Sequence, residues 1–278
     1  MLDEMYQGEY HEKQYHPPDM DEVLGRAWAA GMDRMMVTAG SLAEARKAID
    51  FCSRDPTRLF TTVGCHPTRF VRVPSEVGPV CRSCDRARGR RASEFDAHEG
   101  GPEAYLEGLM ALAKKGAASG AVVAIGECGL DYDRLHFSDV ETQQRNFRRQ
   151  FALQVPKLPP TEPAAACPLP NPHGALLLQR ETGLPMFLHL RAATEDFVRI
   201  VMEECPGVPG VVHSFTGSAE ELRQVLGINP HLCIGINGCS LKTEENLDVL
   251  KLASTLRAAL QPPFPLDSSF CCRYRWTG

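Results

Sequence analysis

Four side chains able to hold a divalent metal or move a proton, His66, Glu127, His189 and His213, each stand at the C-terminal end of a short apolar run with the composition of a β-strand. A carboxylate and imidazoles form a donor set suited to a borderline or hard divalent ion. Such an ion makes a hydroxide available at neutral pH and offsets the negative charge that develops during hydrolysis. One histidine beside a strand is more often a packed, hydrogen-bonded residue than a ligand, but four such residues at four strand ends point to a shared site. The chemistry they imply is that of a metal-dependent hydrolase.

Residues so far apart in sequence meet only if the strands carrying them run side by side in one direction. Apolar periodicity predicts strands at Met35 to Thr38, Phe60 to Val63, Ala121 to Ile125, Leu184 to His189, Val211 to Phe215 and Leu232 to Ile236. Helices are expected over Met20 to Ala30, Ser41 to about Cys52, about Glu103 to Lys115, Glu141 to Gln154 and Thr194 to Glu204. Ser41-Leu42-Ala43-Glu44 and Ser218-Ala219-Glu220-Glu221 carry capping-box spacing, which marks helix starts. This alternation builds a parallel sheet covered by helices. In a (β/α)8 TIM barrel the C-terminal strand ends share one mouth, and 278 residues suit a single barrel of about 250.

Composition narrows the class. A net charge of -5 and a charged fraction of 23% give no general attraction to nucleic acid or anionic membrane, so a polyanion partner must be held locally. The acidic start Met1-Leu2-Asp3-Glu4-Met5 lacks a hydrophobic stretch, and there is no apolar run of about 18 residues, so the expectation is neither secretion nor membrane insertion. Eleven scattered cysteines favour reduced thiols, in cytosol or nucleus. Serine-hydrolase elbow, P-loop and dinucleotide glycine fingerprint are all missing, which removes those three classes.

The segments Thr62-Val63-Gly64-Cys65-His66-Pro67-Thr68, Ile125-Gly126-Glu127-Cys128-Gly129-Leu130-Asp131, Pro185-Met186-Phe187-Leu188-His189 and Val212-His213-Ser214-Phe215-Thr216-Gly217 closely resemble the TatD-related deoxyribonucleases, eukaryotic members above all. Gly235-Ile236-Asn237-Gly238-Cys239-Ser240-Leu241-Lys242 adds a further match. The resemblance implies a TIM barrel, two divalent ions of the magnesium or zinc class per site, DNA as substrate and a nuclear location, with cytoplasm second. It also implies that Glu127 is a catalytic carboxylate bridging two metals, that His189 and His213 are terminal ligands, and that His66 is a catalytic residue near the substrate phosphate. Asp131 reads as an acid behind a ligand or as a helix cap. Arg191 and Lys242 read as phosphate contacts or surface ion pairs.

The same comparison sets out departures. Residues 1–254 read as the barrel domain, with inserts at about 70–92 and 155–175 and a divergent tail over 255–278. The family's first strand and its last catalytic segment, which carries a metal-binding aspartate, are not found, so the expectation is a barrel two strands short of eight, with open edges. That inventory keeps alternatives beside the nuclease: a catalytically impaired form that binds metal or a partner, and a barrel metallohydrolase acting on another ester or amide. Cys81-Arg82-Ser83-Cys84 is a weak zinc signal, and Arg86, Arg88, Arg90 and Arg91 read as a solvated loop. Arg145, Arg148 and Arg149 read as an exposed helix face, and Cys65 and Cys128 as packing thiols.

Overall fold

The structure, a computed structural model, describes residues 4–10, 13–70, 95, 98–151 and 182–260. Its elements are β1 (Glu9–Tyr10), β2 (Lys13–Gln14), α1 (Met20–Ala29), β3 (Met35–Val37), α2 (Leu42–Cys52), β4 (Leu59–Val63), α3 (Gly101–Ser119) and β5 (Val122–Asp131). They continue with α4 (Val140–Phe151), β6 (Met186–Arg191), α5 (Thr194–Glu204), β7 (Gly210–Val212), α6 (Ala219–Leu226), β8 (Leu232–Ile234) and α7 (Glu244–Leu260). β1 and β2 form a small antiparallel hairpin, and the remaining strands make one parallel sheet in the order β3-β4-β5-β6-β7-β8. A helix follows each strand of the parallel sheet, in keeping with the alternation, and among the described residues that sheet has six strands. It is an arc of the (β/α)8 type, short of the eight strands of a closed barrel.

The core lies between this arc and its helices. Leu59, Val63, Ile125, Leu130, Met186, Leu188 and Val212 from the strands meet Leu109, Phe147, Phe197 and Leu222 from the helices, all buried. Phe147 stacks on Phe197 at 5.6 Å and so ties α4 to α5. The two predicted caps differ. Ser218 and Glu221 complete a reciprocal capping box at α6. At α2, Ser41 accepts from Glu44 N, but the Glu44 carboxylate accepts from Gly40 N at 2.9 Å and from Arg69 at 2.7 Å, so the box is only half made.

β5 departs most from its expected span. It runs on from Ile125 through Glu127 to Asp131, and its register against β6 steps from Gly126 opposite Phe187 to Cys128 opposite Leu188. Glu127 is therefore the extra residue of a bulge inside the strand, a device that re-aims a side chain. Gly126 and Gly129 flank it at φ +138 and +151, and a Cβ there would lie 2.0 Å from Phe187 O and 1.9 Å from His189 O. Only glycine fits both places. β6 likewise extends two residues beyond His189, because it pairs with this lengthened β5 as far as Asp131 opposite Arg191.

Other boundaries moved less. α3 runs to Ser119, four residues past its expected end at Lys115, and stops where Gly120 takes φ +77. α7, not expected as a helix, crosses residue 254, the boundary between expected barrel and tail. Residues 71–92 and 155–175 of the expected inserts, the end of the Glu141 to Gln154 helix, and the tail from 261 lie outside the described residues. No helix among those described is long and apolar enough to cross a membrane. Cys52, Cys65, Cys128, Cys205 and Cys239 form no disulfide, but Cys233 is disulfide-bonded, so the expectation of reduced thiols does not hold there. No cysteine spacing marks Cys233 out, because a disulfide depends on distance in space.

Candidate metal centre

Each of the four predicted residues arrives from a different, adjacent strand. His66 follows β4, where Gly64 lets the chain pass so close to β5 that a Cβ would stand 2.5 Å from Gly126 Cα. Glu127 sits in the β5 bulge with its backbone N–H donated to Ala39 O at 3.1 Å. His189 lies within β6, and His213 comes directly after β7 with its N–H on Leu188 O at 2.9 Å. The structure brings all four together.

Glu127 Oε1 is the common point. His213 Nε2 lies 2.6 Å from it, His189 Nδ1 2.8 Å and His66 Nε2 3.5 Å. The two nearer ring nitrogens are 3.3 Å apart. The rings are also packed: His66 meets His189 edge-on at 4.5 Å, and His213 stacks on Phe187 at 4.6 Å. Asp131 is fully buried behind His189, with Oδ2 3.2 Å from Nε2, and it makes no side-chain cap to the turn that follows. Of its two sequence readings, the acid behind a ligand is the one the geometry fits.

Electrostatics follow from this crowding. Burial would raise the Glu127 carboxyl, but bonds from His189 and His213 outweigh it and hold the group well below the usual carboxylate range. Burial lowers the Asp131 carboxyl's ease of ionising too, yet its bond with His189 and the Arg134 charge win, and its pKa falls. His189 is likewise opposed by burial and still raised, because Asp131 and Glu127 face its two nitrogens. His66 goes the other way, since burial pushes its ring down to about 3. Its Nδ1 accepts from Thr68 N at 3.2 Å, so the neutral ring carries its proton on Nε2, facing Glu127.

The donor set fits a divalent cation. Ligand atoms of Glu127, His189 and His213 lie within 4.8 Å of one another, as do those of His66, Asp131 and His189. Asp131 Oδ1 is buried without a partner among the described residues, an unmet acceptor in the wall of the site. Arg191 ends β6 opposite Asp131, half-buried, and Lys242 is exposed after the turn Gly238–Leu241; neither joins the cluster. Arg148 pairs with Glu203 and with Glu204 at 2.6 Å, and Arg149 with Glu103 at 3.6 Å; both are half-buried, so of the expected exposed face only Arg145 is exposed. Cys65 and Cys128 are buried, and burial pushes the Cys128 thiol far up, in keeping with packing thiols.

Sequence reasoning missed the support behind His213. Its Nδ1 lies 3.0 Å from Ser214 Oγ, and Ser214 is held at φ +52, an uncommon conformation for a residue with a side chain. Asn237 donates to that hydroxyl at 2.7 Å while capping its own turn through Cys239 N and Ser240 N. The only signal in the chain was the position of Ser214 beside a candidate ligand.

The family model described as TatD related DNase matches residues 9–155 and 175–258. The chain is 37% identical over 266 residues to the deoxyribonuclease Tat-D of Schizosaccharomyces pombe, covering 95% of this chain and 69% of that protein. Among solved structures it is similar to an uncharacterized amidohydrolase from Saccharomyces cerevisiae, with 31% identity, a TM-score of 0.65 and coverage of 90% and 69% of the two chains. A TatD family hydrolase from Entamoeba histolytica gives 32% identity and a TM-score of 0.64, with coverage of 90% and 66%.

Proposed function

The chain belongs to the TatD-related DNase family, and from that premise we propose that it is a metal-dependent deoxyribonuclease whose metal is held by Glu127, His189 and His213. One observation carries the reading: ring nitrogens from β6 and from just after β7 stand 2.6 and 2.8 Å from one oxygen of the half-buried Glu127 carboxylate. When bound, divalent ions of the magnesium or zinc class, two per site, supply Lewis acidity and an activated water. Glu127 would hold metal through the carboxylate oxygen that both imidazoles face. Asp131 fixes the His189 ring and keeps Nδ1 turned to the site, and Ser214 does the same for Nε2 of His213. His66, neutral at physiological pH, offers its Nε2 proton to a phosphate oxygen as a hydrogen bond and not as a charge. Arg191 and Lys242 add the positive charge that a phosphodiester backbone requires. On the family resemblance we propose a nuclear location, with the cytoplasm second.

A second reading, a form that binds metal without turning over, has a specific point in its favour. Among the described residues Glu127 and Asp131 are the carboxylates of the cluster, and Asp131 is engaged with His189. The deciding assay is hydrolysis of single- and double-stranded DNA with and without added divalent metal, beside Glu127→Ala and His213→Ala and a panel of simple esters and amides. The nuclease reading expects metal-dependent cleavage that falls at least about 100-fold in both variants. Metal binding by a folded chain without cleavage would replace it with the second reading, and turnover confined to the ester or amide panel would move the substrate class.

A further inference from the structure

Two glutamines on α4 do something that no metal ligand or phosphate contact does. Gln143 and Gln150 are seven residues apart, two helical turns, and so share one face; both are buried. Buried glutamine costs free energy unless its amide is fully bonded. Gln143 Oε1 accepts from Asp131 N at 2.8 Å, and its Nε2 donates to Asp131 O at 2.8 Å and to Ser138 O at 2.9 Å. Gln150 repeats the arrangement on Cys65, accepting from its N at 2.8 Å and donating to its O at 3.0 Å. Each amide thus pairs with both backbone groups of one residue, as a neighbouring strand would.

The two residues so held are not arbitrary. Cys65 lies beyond the last β4 pair, Val63 with Ile125, and directly precedes His66. Asp131 is the last residue of β5 and is the carboxylate against His189 Nε2. Both are places where the ladder ends and the backbone would otherwise be free to shift beneath a site residue. The geometry points to Gln143 and Gln150 as a pair of positioning residues: Gln143 sets His189 through Asp131, and Gln150 sets His66 through Cys65. The inference rests on the reading of this cluster as the active site, and it divides that site into a metal-holding half and a substrate-holding half, each controlled from a different turn of one helix.

The test uses the whole chain with Gln143→Leu and Gln150→Leu, and the nearly isosteric Gln143→Glu and Gln150→Glu, which keep an acceptor and lose the amide donor. Long-range proton–nitrogen spectra of the metal-free protein read the imidazole nitrogens of His66 and His189, assigned with His66→Gln and His189→Gln. Zinc titration and DNA hydrolysis follow on the same samples. Changes at Gln143 are expected to move the His189 signals and weaken zinc binding about tenfold while leaving His66 in place. Changes at Gln150 are expected to move His66 alone, with zinc affinity unchanged and kcat/KM on DNA reduced about tenfold. If the Leu variants do not fold, the Glu variants carry the same reading. Folded variants of lower stability whose imidazole signals stay at their wild-type positions would overturn the positioning role. Wild-type protein that takes up no zinc, yet shows the split response of the two rings, would overturn the metal-site reading and leave the positioning pair standing.

Discussion

At the scale of single residues, the site sorts its ionisable groups by what faces them. Glu127 and Asp131 are held ionised by imidazoles, whereas His66 is kept neutral by burial, with its pKa about 3 against an ordinary value of 6.5. The consequence for stability has a definite sign. Between pH 6.5 and about 3 the unfolded His66 ring takes a proton that the folded one refuses, so metal-free protein loses stability as pH falls through that window. Glu127 and Asp131, both held low, add to the loss at the acid end. His189, raised by its two carboxylates, contributes in the opposite sense: its stabilisation is present below pH 6.5 and is lost as pH rises through its folded value. Denaturant midpoints of metal-free His66→Gln are therefore expected to fall less steeply with acid than those of the wild type. Equal slopes would show that burial does not keep this ring neutral.

At the scale of elements, the β5 bulge governs the site. It places Glu127 where three neighbouring strands can reach it, and it exists only because Gly126 and Gly129 adopt φ values closed to other residues. Gly126→Ala would drive its methyl into Phe187 O and is expected to destabilise by more than about 1 kcal/mol, with loss of metal binding. Gly25→Ala is the control. Gly25 is exposed within α1 with nothing within 4 Å of a Cβ, so alanine there should stabilise by roughly 0.5–1 kcal/mol and leave metal binding alone. Thermal unfolding and zinc titration of the two variants check both statements, and similar behaviour of the pair would remove the bulge from the argument.

At the scale of the whole molecule, metal and fold are linked. Ligands from β5, β6 and β7 come together only in the folded sheet, so a divalent ion binds the native state and little else. Metal at 100 times its dissociation constant is expected to stabilise the chain by about 2.7 kcal/mol, and chelation should withdraw that amount. Calorimetry with zinc and with a chelator reads the difference as a shift in Tm. In Glu127→Ala the shift should vanish; a full shift in that variant would place the metal elsewhere. The sheet edges matter at this scale as well. β3 and β8 are the outer strands among the described residues, and the exposed Ile236 and Leu241 follow β8 on the side where the His213 support is anchored through Asn237.

Local pattern alone determined a good deal. Strand runs, helix periodicity and the serines at α2 and α6 were legible because apolar spacing and capping are properties of neighbours in sequence. The types of the site residues were legible for a similar reason: carboxylate and imidazole at strand ends carry their chemistry wherever they are placed. Parallel order then followed from alternation, and with it the convergence of His66, Glu127, His189 and His213. What the tertiary structure decided was contact. That Glu127 lies inside a strand and not after one depends on the register of β5 against β6, which no local window contains. That Asp131 backs His189, that Asn237 and Ser214 hold His213, and that Gln143 and Gln150 close the strand ends are facts of distance between residues remote in sequence. A polar side chain reads the same in sequence whether it faces water or a buried backbone, and only the packing of α4 against β5 and the turn after β4 separates the two cases.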